Sequence, residues 1–460
     1  MQKTHVIAVF DIGKTNKKLF LFDESYQILW EKSSQLQETT DEDGFPCEDI
    51  GSLQSWIEES FSVASSLKNF EIKAINFSSY GASLVHLDSQ SRPLTPLYNY
   101  LKPFPSILQE SFYNRYGGPK MFSLCTASPI LGSLNSGLQL LRLKVERPQL
   151  FEQVRFSLHL PQWISSLFTG KYYSDMTSIG SHTAMWNFFE KAYHEWLKKE
   201  GVETKLATIM NSNEGFPLQK NKKKIIAGIG LHDSSAALIP YQLSMDEPFL
   251  LISTGTWSIS LNPFNWSRLE AAELEKDCLC YLDYHGNQVK ASRLFLGNEH
   301  EEQVKRLSAH FQVAPDYYKQ VPLDPDLLPK DFINQCLFHE EWPVNRTTPG
   351  ETVMENLNTF KRFDHAYHRL ICDLIVVQKL STDLVLVHSS VKKIFVDGGF
   401  SRNEIFMKLL AAIYPNIKIY AATVAQASAL GAALAIHKHW NVKPIPENLI
   451  LSKQYLWDTI

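Results

Sequence analysis

His5-Val6-Ile7-Ala8-Val9-Phe10-Asp11-Ile12-Gly13-Lys14-Thr15-Asn16-Lys17-Lys18-Leu19-Phe20-Leu21-Phe22 is the stretch whose reading decides the fold of this 460-residue chain. The apolar run Val6 to Phe10 reads as a buried strand, a small polar turn follows, and a second apolar run returns. Glycine has no Cβ, so a turn at Gly13 lets backbone N–H groups close on a phosphate oxygen. Thr15 and Asn16 supply further donors, and Lys14 either adds positive charge or is a surface lysine beside the turn. Asp11, expected at the end of the strand, suits Mg²⁺, which prefers oxygen ligands and keeps several waters.

The same device recurs. Phe249 to Leu261 reads strand, turn (Ser253-Thr254-Gly255-Thr256-Trp257), strand, and a third glycine turn, Asp397-Gly398-Gly399-Phe400-Ser401, follows the apolar run Ile394 to Val396. Any one of these is equally an ordinary hairpin or strand-to-helix connection. Two copies of one device about half a chain apart predict two similar lobes. Strands alternate with helical patterns at Ile72 to Phe77 and Ile225 to Ile229, which predicts an α/β sheet in each lobe. Ser52 to Leu67 predicts an amphipathic packing helix opened by Ser52, with Leu53, Trp56, Ile57, Phe61 and Ala64 on one face.

Composition narrows the function. A chain of this length is too long for one core, and the boundary is placed in the polar stretch after Pro240, giving lobes over residues 1–244 and 245–460. A net charge of -4 leaves no basic stripe for nucleic acid, and Lys220 to Lys224 reads as a solvated loop. Cys47, Cys125, Cys278, Cys280, Cys336 and Cys372 are scattered and read as reduced thiols of a cytoplasmic protein. Cys278-Leu279-Cys280 lacks the further ligands zinc wants, and His300-Glu301-Glu302 lacks a second histidine one turn on, so it reads as a solvated helix face. The apolar start is cut short by Asp11, which argues against a secretory segment, and no run is long enough to span a membrane.

Asp233 follows the strand Ile225 to Ile229 and opens the pattern Ser234-Ser235-Ala236-Ala237-Leu238. Two readings fit it: a cap on exposed helix N–H groups, and a general base that takes a proton from an attacking hydroxyl. They are compatible, because in loose phosphoryl transfer orienting the hydroxyl matters more than basicity.

Asp11-Ile12-Gly13-Lys14-Thr15-Asn16, Gly230-Leu231-His232-Asp233-Ser234-Ser235-Ala236 and Ser253-Thr254-Gly255-Thr256-Trp257 together resemble the motifs of the FGGY family of carbohydrate kinases. So do Gly398-Gly399 with Asn403, Leu167-Phe168-Thr169-Gly170 with Asp175, and Ala425-Gln426-Ala427-Ser428-Ala429-Leu430-Gly431-Ala432-Ala433, where Gln426 replaces the usual acid. The resemblance implies a two-lobed α/β, ribonuclease H-like fold of the sugar kinase/Hsp70/actin superfamily, with the nucleotide in the interlobe cleft. It implies ATP and Mg²⁺ as cofactors, Asp233 as catalytic base and Asp11 as metal carboxylate. Gly13, Lys14, Thr15, Asn16, Gly255, Thr256, Gly398, Gly399 and Asn403 would then hold ATP.

For the sugar, Ser78-Ser79-Tyr80-Gly81-Ala82-Ser83 resembles the family's Ser-x-x-Gly-Gln turn, with Ala82 where glutamine is common. Tyr80, Gly81, Ala82, Asn99, Lys102, His232 and Asp233 are the candidate sugar contacts, although the Leu97 to Pro103 segment lacks the usual acid and arginine. The spacing around Asn135 to Leu140 and Thr169 to Asp175 most resembles the rhamnulose and fuculose kinase branch, implying a 6-deoxy-ketohexose phosphorylated at a primary hydroxyl. Xylulose or ribulose is the alternative, and a catalytically weak sensor a further one. Trp163, Trp186 and Phe295 read either as an apolar wall for the methyl group or as core. The expected partners are a small sugar and ATP, with a homodimer left open and neither nucleic acid nor membrane; a chaperone or a helix-turn-helix repressor would need a domain for which the sequence shows no room.

Overall fold

In the computed structural model, residues 3–218, 225–329, 332 and 357–457 are described; the Lys220 to Lys224 run and Cys336 lie outside them. Strand β1 (Thr4–Ile12) does not stop before Asp11 but carries it inside the ladder, because Asp11 pairs with Lys18 and Ile12 with Lys17 of β2 (Lys17–Asp23). Strand β3 (Ile28–Ser34) extends the meander. On the other side β1 pairs in parallel with β4 (Phe70–Ser79), and β5 (Gly215–Pro217), β6 (Ile226–Gly228) and β7 (Leu231–His232) complete a sheet ordered β5-β6-β4-β1-β2-β3, with β7 on the end of β4.

The second sheet repeats that plan. β8 (Phe249–Thr254) and β9 (Ser258–Asn262) form the hairpin, and β10 (Cys278–Leu282) and β11 (Gln288–Leu294) continue it antiparallel. β12 (Lys393–Gly398) and β13 (Lys418–Thr423) add in parallel on the other side, and β14 (Leu451–Tyr455) closes the order β10-β11-β9-β8-β12-β13-β14. Parallel neighbours need crossover connections, so both faces of β1 are covered.

Strand alternation then decides which way each face looks. Val6, Ala8, Phe10 and Ile12 pack with Leu53, Trp56 and Ile57 of helix α1 (Ile50–Ser66), while Ile7 and Val9 pack with α2 (Asp233–Ser244) and α4 (Ala427–Ala435). Asp11 shares the face of Ile7 and Val9. Phe249 and Leu251 of the second sheet enter the same cluster, so one apolar core joins the two sheets. Leu250 and Ile252 pack outward with α3 (Phe363–Leu386). Each such fully buried side chain contributes about 1.5–3 kcal/mol.

Three local expectations change. Helix α1 begins at Ile50 rather than at Ser52, because Asp49 accepts from Gly51 N at 3.0 Å and Ser52 Oγ at 2.7 Å and so takes the cap; Phe61 is only half-buried. His300 is not on a solvated face: its Nε2 lies 3.0 Å from Tyr367 Oη and its ring packs on Tyr318, Tyr367 and Phe400. Burial lowers its pKa to about 4. Trp163 and Trp186 take the core reading, and the one departure is Phe295, exposed against Trp257 with ring centroids 4.8 Å apart. Cys278 and Cys280 bury their thiols in the second core, and burial pushes Cys280 up to about 12. Among the described residues no helix is long and apolar enough to cross a membrane.

Candidate active site

The first turn is held from behind. Gly13 N donates to Asn16 O at 2.9 Å, and the fully buried Lys17 donates to Gly13 O and Lys14 O, each at 2.9 Å, while its charge pairs with Glu48 at 2.9 Å. A buried ammonium needs such partners, and here they fix the turn. Thr15 and Asn16 are left exposed. Lys14 turns aside to Glu38, at 2.8 Å.

Asp11 is half-buried beside this turn, and Ser428 Oγ donates to its two oxygens at 3.0 and 3.1 Å. Its pKa is raised to about 6, first by burial and then by the charge of Asp233; Ser428, Ser78 and Lys18 act against the rise. Strand β1 and helix α2 have therefore brought two carboxylates within reach of each other's field. Lys18, across the ladder from Asp11, donates to Gln426 Oε1 at 3.2 Å.

Asp233 is the first residue of α2, not its cap, which is His232. An acid in the first turn complements the helix dipole. Its Oδ1 accepts from Ser234 N at 2.6 Å and lies 3.5 Å from His232 Nε2. His232 is pinned through its backbone N to Thr177 Oγ1 at 2.9 Å, and its ring lies so close to Gly81 that a Cβ there would meet it at 2.6 Å. The Tyr80 to Ala82 turn thus stands against His232, next to Asp233. Ala82 adopts the left-handed conformation, φ 59°, and its carbonyl accepts from Gln139 Nε2 at 2.7 Å.

The second and third turns are stitched to each other. Gly399 N donates to Thr254 O at 3.0 Å and Phe400 N to Thr254 Oγ1 at 3.1 Å. Gly398, at φ 90°, sits where a Cβ would lie 1.7 Å from Thr254 O, so glycine is required. Gly255 and Thr256 are exposed, and nothing lies within 4 Å of a Cβ built on Gly255 or Gly399.

Residues 6–239 match the model of the FGGY family of carbohydrate kinases, N-terminal domain, and residues 246–444 that of carbohydrate kinase FGGY, C-terminal domain. The chain belongs to the FGGY family of carbohydrate kinases. It is 24% identical over 272 residues to an L-fuculokinase of Salmonella typhi and 22% identical over 272 residues to one of Escherichia coli (strain K12). Those matches cover 56% of this chain and 56% of each relative, so the chain spans only about half the length of the curated relatives it matches. In fold it is similar to a carbohydrate kinase from Novosphingobium aromaticivorans (TM-score 0.79, 20% identity, 98% of this chain and 97% of that one). A ligand-bound xylulose kinase from Lactobacillus acidophilus (TM-score 0.79, 18% identity, 99% and 94%) and a Plasmodium falciparum glycerol kinase with ADP (0.71, 16%, 95% and 90%) are also similar. The fold is the two-lobed α/β architecture of sugar kinases, Hsp70 and actin.

Not every residue singled out in this FGGY chain opens on the two carboxylates. Asn99 donates to Pro46 O at 3.1 Å, and Lys102 pairs with Asp41 at 2.5 Å and Asp43 at 2.6 Å, so both tie down the hairpin between residues 38 and 48. With Gln139 and Arg142 they line a small pocket of about 30 Å³ whose wall includes neither Asp11 nor Asp233. The Tyr80 hydroxyl donates to Glu48 at 2.7 Å. Asn403 caps the helix Glu404–Ile413 and donates to Tyr367 Oη at 2.7 Å. Asp175 accepts from Thr177, Ser178, Gln162 and Ser212 and is fully buried, a purely internal role. Sequence reading missed Lys17, Lys18, Ser428 and Tyr100. The Tyr100 hydroxyl, held above its ordinary range by burial, also senses the charges of Lys14, Asp233 and Glu48. Only Lys18 had a readable signal, its register opposite Asp11.

Proposed function

We propose that this chain transfers the γ-phosphoryl group of ATP to a primary hydroxyl of a ketose, with Asp233 as general base. The observation that carries the reading is the meeting of Asp11 and Asp233. One carboxylate stands beside a phosphate turn, the other beside the Gly81–His232 contact, and they are close enough that the charge of Asp233 opposes the ionisation of Asp11. A divalent cation would relieve that opposition, and carboxylate oxygen is the donor Mg²⁺ takes, so the residues fit the metal. Mg²⁺ bound there would neutralise charge on the β- and γ-phosphate oxygens.

This chain's own residues do the rest. Gly13, Thr15, Asn16, Gly255 and Thr256 hold phosphates, and the open space over Gly399 admits adenosine beside Gly398 and Asn403. Lys14 adds positive charge at the turn only on leaving its pair with Glu38. Asp233 orients the sugar hydroxyl and accepts its proton as the phosphoryl group moves; in a loose transition state that placement is most of the catalysis. Lobes over residues 1–244 and 245–460 close to exclude water, which otherwise competes as acceptor. Tyr80, Gly81, Ala82 and His232 form the sugar side, with Asn99 and Lys102 acting through the hairpin they hold.

The substrate we assign is a 6-deoxy-ketohexose, L-rhamnulose or L-fuculose, supported by the motif spacing and by the likeness to L-fuculokinases over half their length. The test is a coupled ADP-release assay over L-rhamnulose, L-fuculose, L-ribulose, D-ribulose, D-xylulose, glycerol and a no-sugar control. ADP release dependent on L-rhamnulose or L-fuculose is expected. Dependence on a pentulose overturns the sugar, and release indifferent to every sugar overturns the kinase.

A further inference from the structure

Ser428 belongs to α4, yet its hydroxyl reaches a carboxylate 417 residues earlier, donating to both oxygens of Asp11 at 3.0 and 3.1 Å. Two residues before it, Gln426 adopts the left-handed conformation, φ 51°, and accepts from Lys18 at 3.2 Å. Where an acid at position 426 would pair with Lys18 and cancel its charge, the amide accepts the hydrogen bond and leaves that charge acting beside Asp11. Asp11 and Lys18 are cross-strand partners, so the first turn of α4 grips both.

The helix that grips them is itself fixed. A Cβ on Gly431 would lie 1.8 Å from Ala236 O, and Asn76 Nδ2 donates to Ala432 O at 2.7 Å. Ala236 is in α2, whose first residue is Asp233. One helix therefore touches the phosphate-side carboxylate directly and the base through the helix that carries it. A carboxylate rotates about its last torsion in a broad, two-fold well, so without a donor its oxygens are not held in one plane. Ser428 is half-buried and supplies that donor.

We propose that Ser428 is a positioning residue for phosphoryl transfer, acting through Asp11 by fixing the plane of the carboxylate that faces the metal and phosphate. This rests on the kinase reading of the site. Hydrogen-bond partners of a metal-binding carboxylate are worth about ten- to a hundredfold in metal affinity or activity.

The test uses the full chain with Ser428→Ala and Ser428→Thr, reading Mn²⁺ binding in the presence of ATP by paramagnetic resonance, the thermal unfolding midpoint, and kcat and KM on the preferred ketose. Ser428→Ala is expected to weaken Mn²⁺ binding about tenfold and lower kcat by a similar factor, with the midpoint and the sugar KM unchanged. Ser428→Thr restores both, and Ser428→Ala adds nothing in an Asp11→Asn background. Mn²⁺ affinity equal to wild type, or an effect that persists undiminished without the Asp11 carboxylate, overturns the proposal. Wild-type turnover, measured in the same series, decides the kinase reading separately.

Discussion

Asn76 Nδ2 donates to Ala432 O at 2.7 Å, while Asn76 Oδ1 accepts from Gly230 N at 3.3 Å. A single, fully buried amide in β4 thus links the centre of the first sheet, the turn that leads into Asp233, and helix α4. Replacing it with alanine leaves the Ala432 carbonyl and the Gly230 N–H without these partners. Asn76→Ala is expected to lower stability by about 2–3 kcal/mol, read as a shift of the denaturant midpoint with no change in slope.

Gly431→Ala tests the contact between α4 and α2. The atom a new Cβ would meet at 1.8 Å is backbone, Ala236 O, so the helices must move apart. A loss of about 1–3 kcal/mol is expected, and kcat falls as well, because α2 carries Asp233. Unfolding and turnover measured on the same preparation check it; a stable variant with altered turnover would show that packing is not the cause.

Gly81→Ala acts on the sugar side. The added Cβ meets the His232 ring at 2.6 Å, and the ring must swing toward or away from Asp233. Small misplacements at a reacting centre cost on the order of a hundredfold. The expected outcome is a loss of that order in kcat/KM for the ketose with the KM for ATP unchanged, measured by varying each substrate at saturation of the other.

Asp11 predicts a pH signature. Its folded-state pKa, raised from 3.8 to about 6, means the folded protein holds this proton more tightly than the unfolded chain. In chelator, its contribution to stability therefore falls as pH rises from about 4 to about 6 and is constant above. Asp11→Asn removes that penalty. The variant should match wild type near pH 4 and unfold at a higher temperature than wild type above pH 6, with Mg²⁺ closing the gap. A midpoint difference that does not vary with pH would contradict this.

What the sequence made legible was local. A strand, a glycine turn and a returning strand are neighbours in the chain, so the hairpins at Gly13 and Gly255, and their likeness to each other, were visible without any tertiary information. The pairs that finish the site were not. Lys17 reads as one more polar residue in a turn until Glu48, Gly13 O and Lys14 O are seen around it. Nothing in the sequence around Lys102 shows that it pairs with Asp41 and Asp43. His300 reads as part of a solvated face because no second histidine follows one turn on, yet the helix turns its ring inward onto Tyr367. Ser428 stands in the Ala425 to Ala433 motif, and only the fold brings it to Asp11.

Asp233→Ala is the most direct measurement of the central claim. With ATP, Mg²⁺ and the ketose that the wild type prefers, the variant should release no sugar-dependent ADP, bind ATP as the wild type does and remain folded at the assay temperature. A variant that keeps most of the wild-type kcat would contradict the assignment of Asp233 as the base.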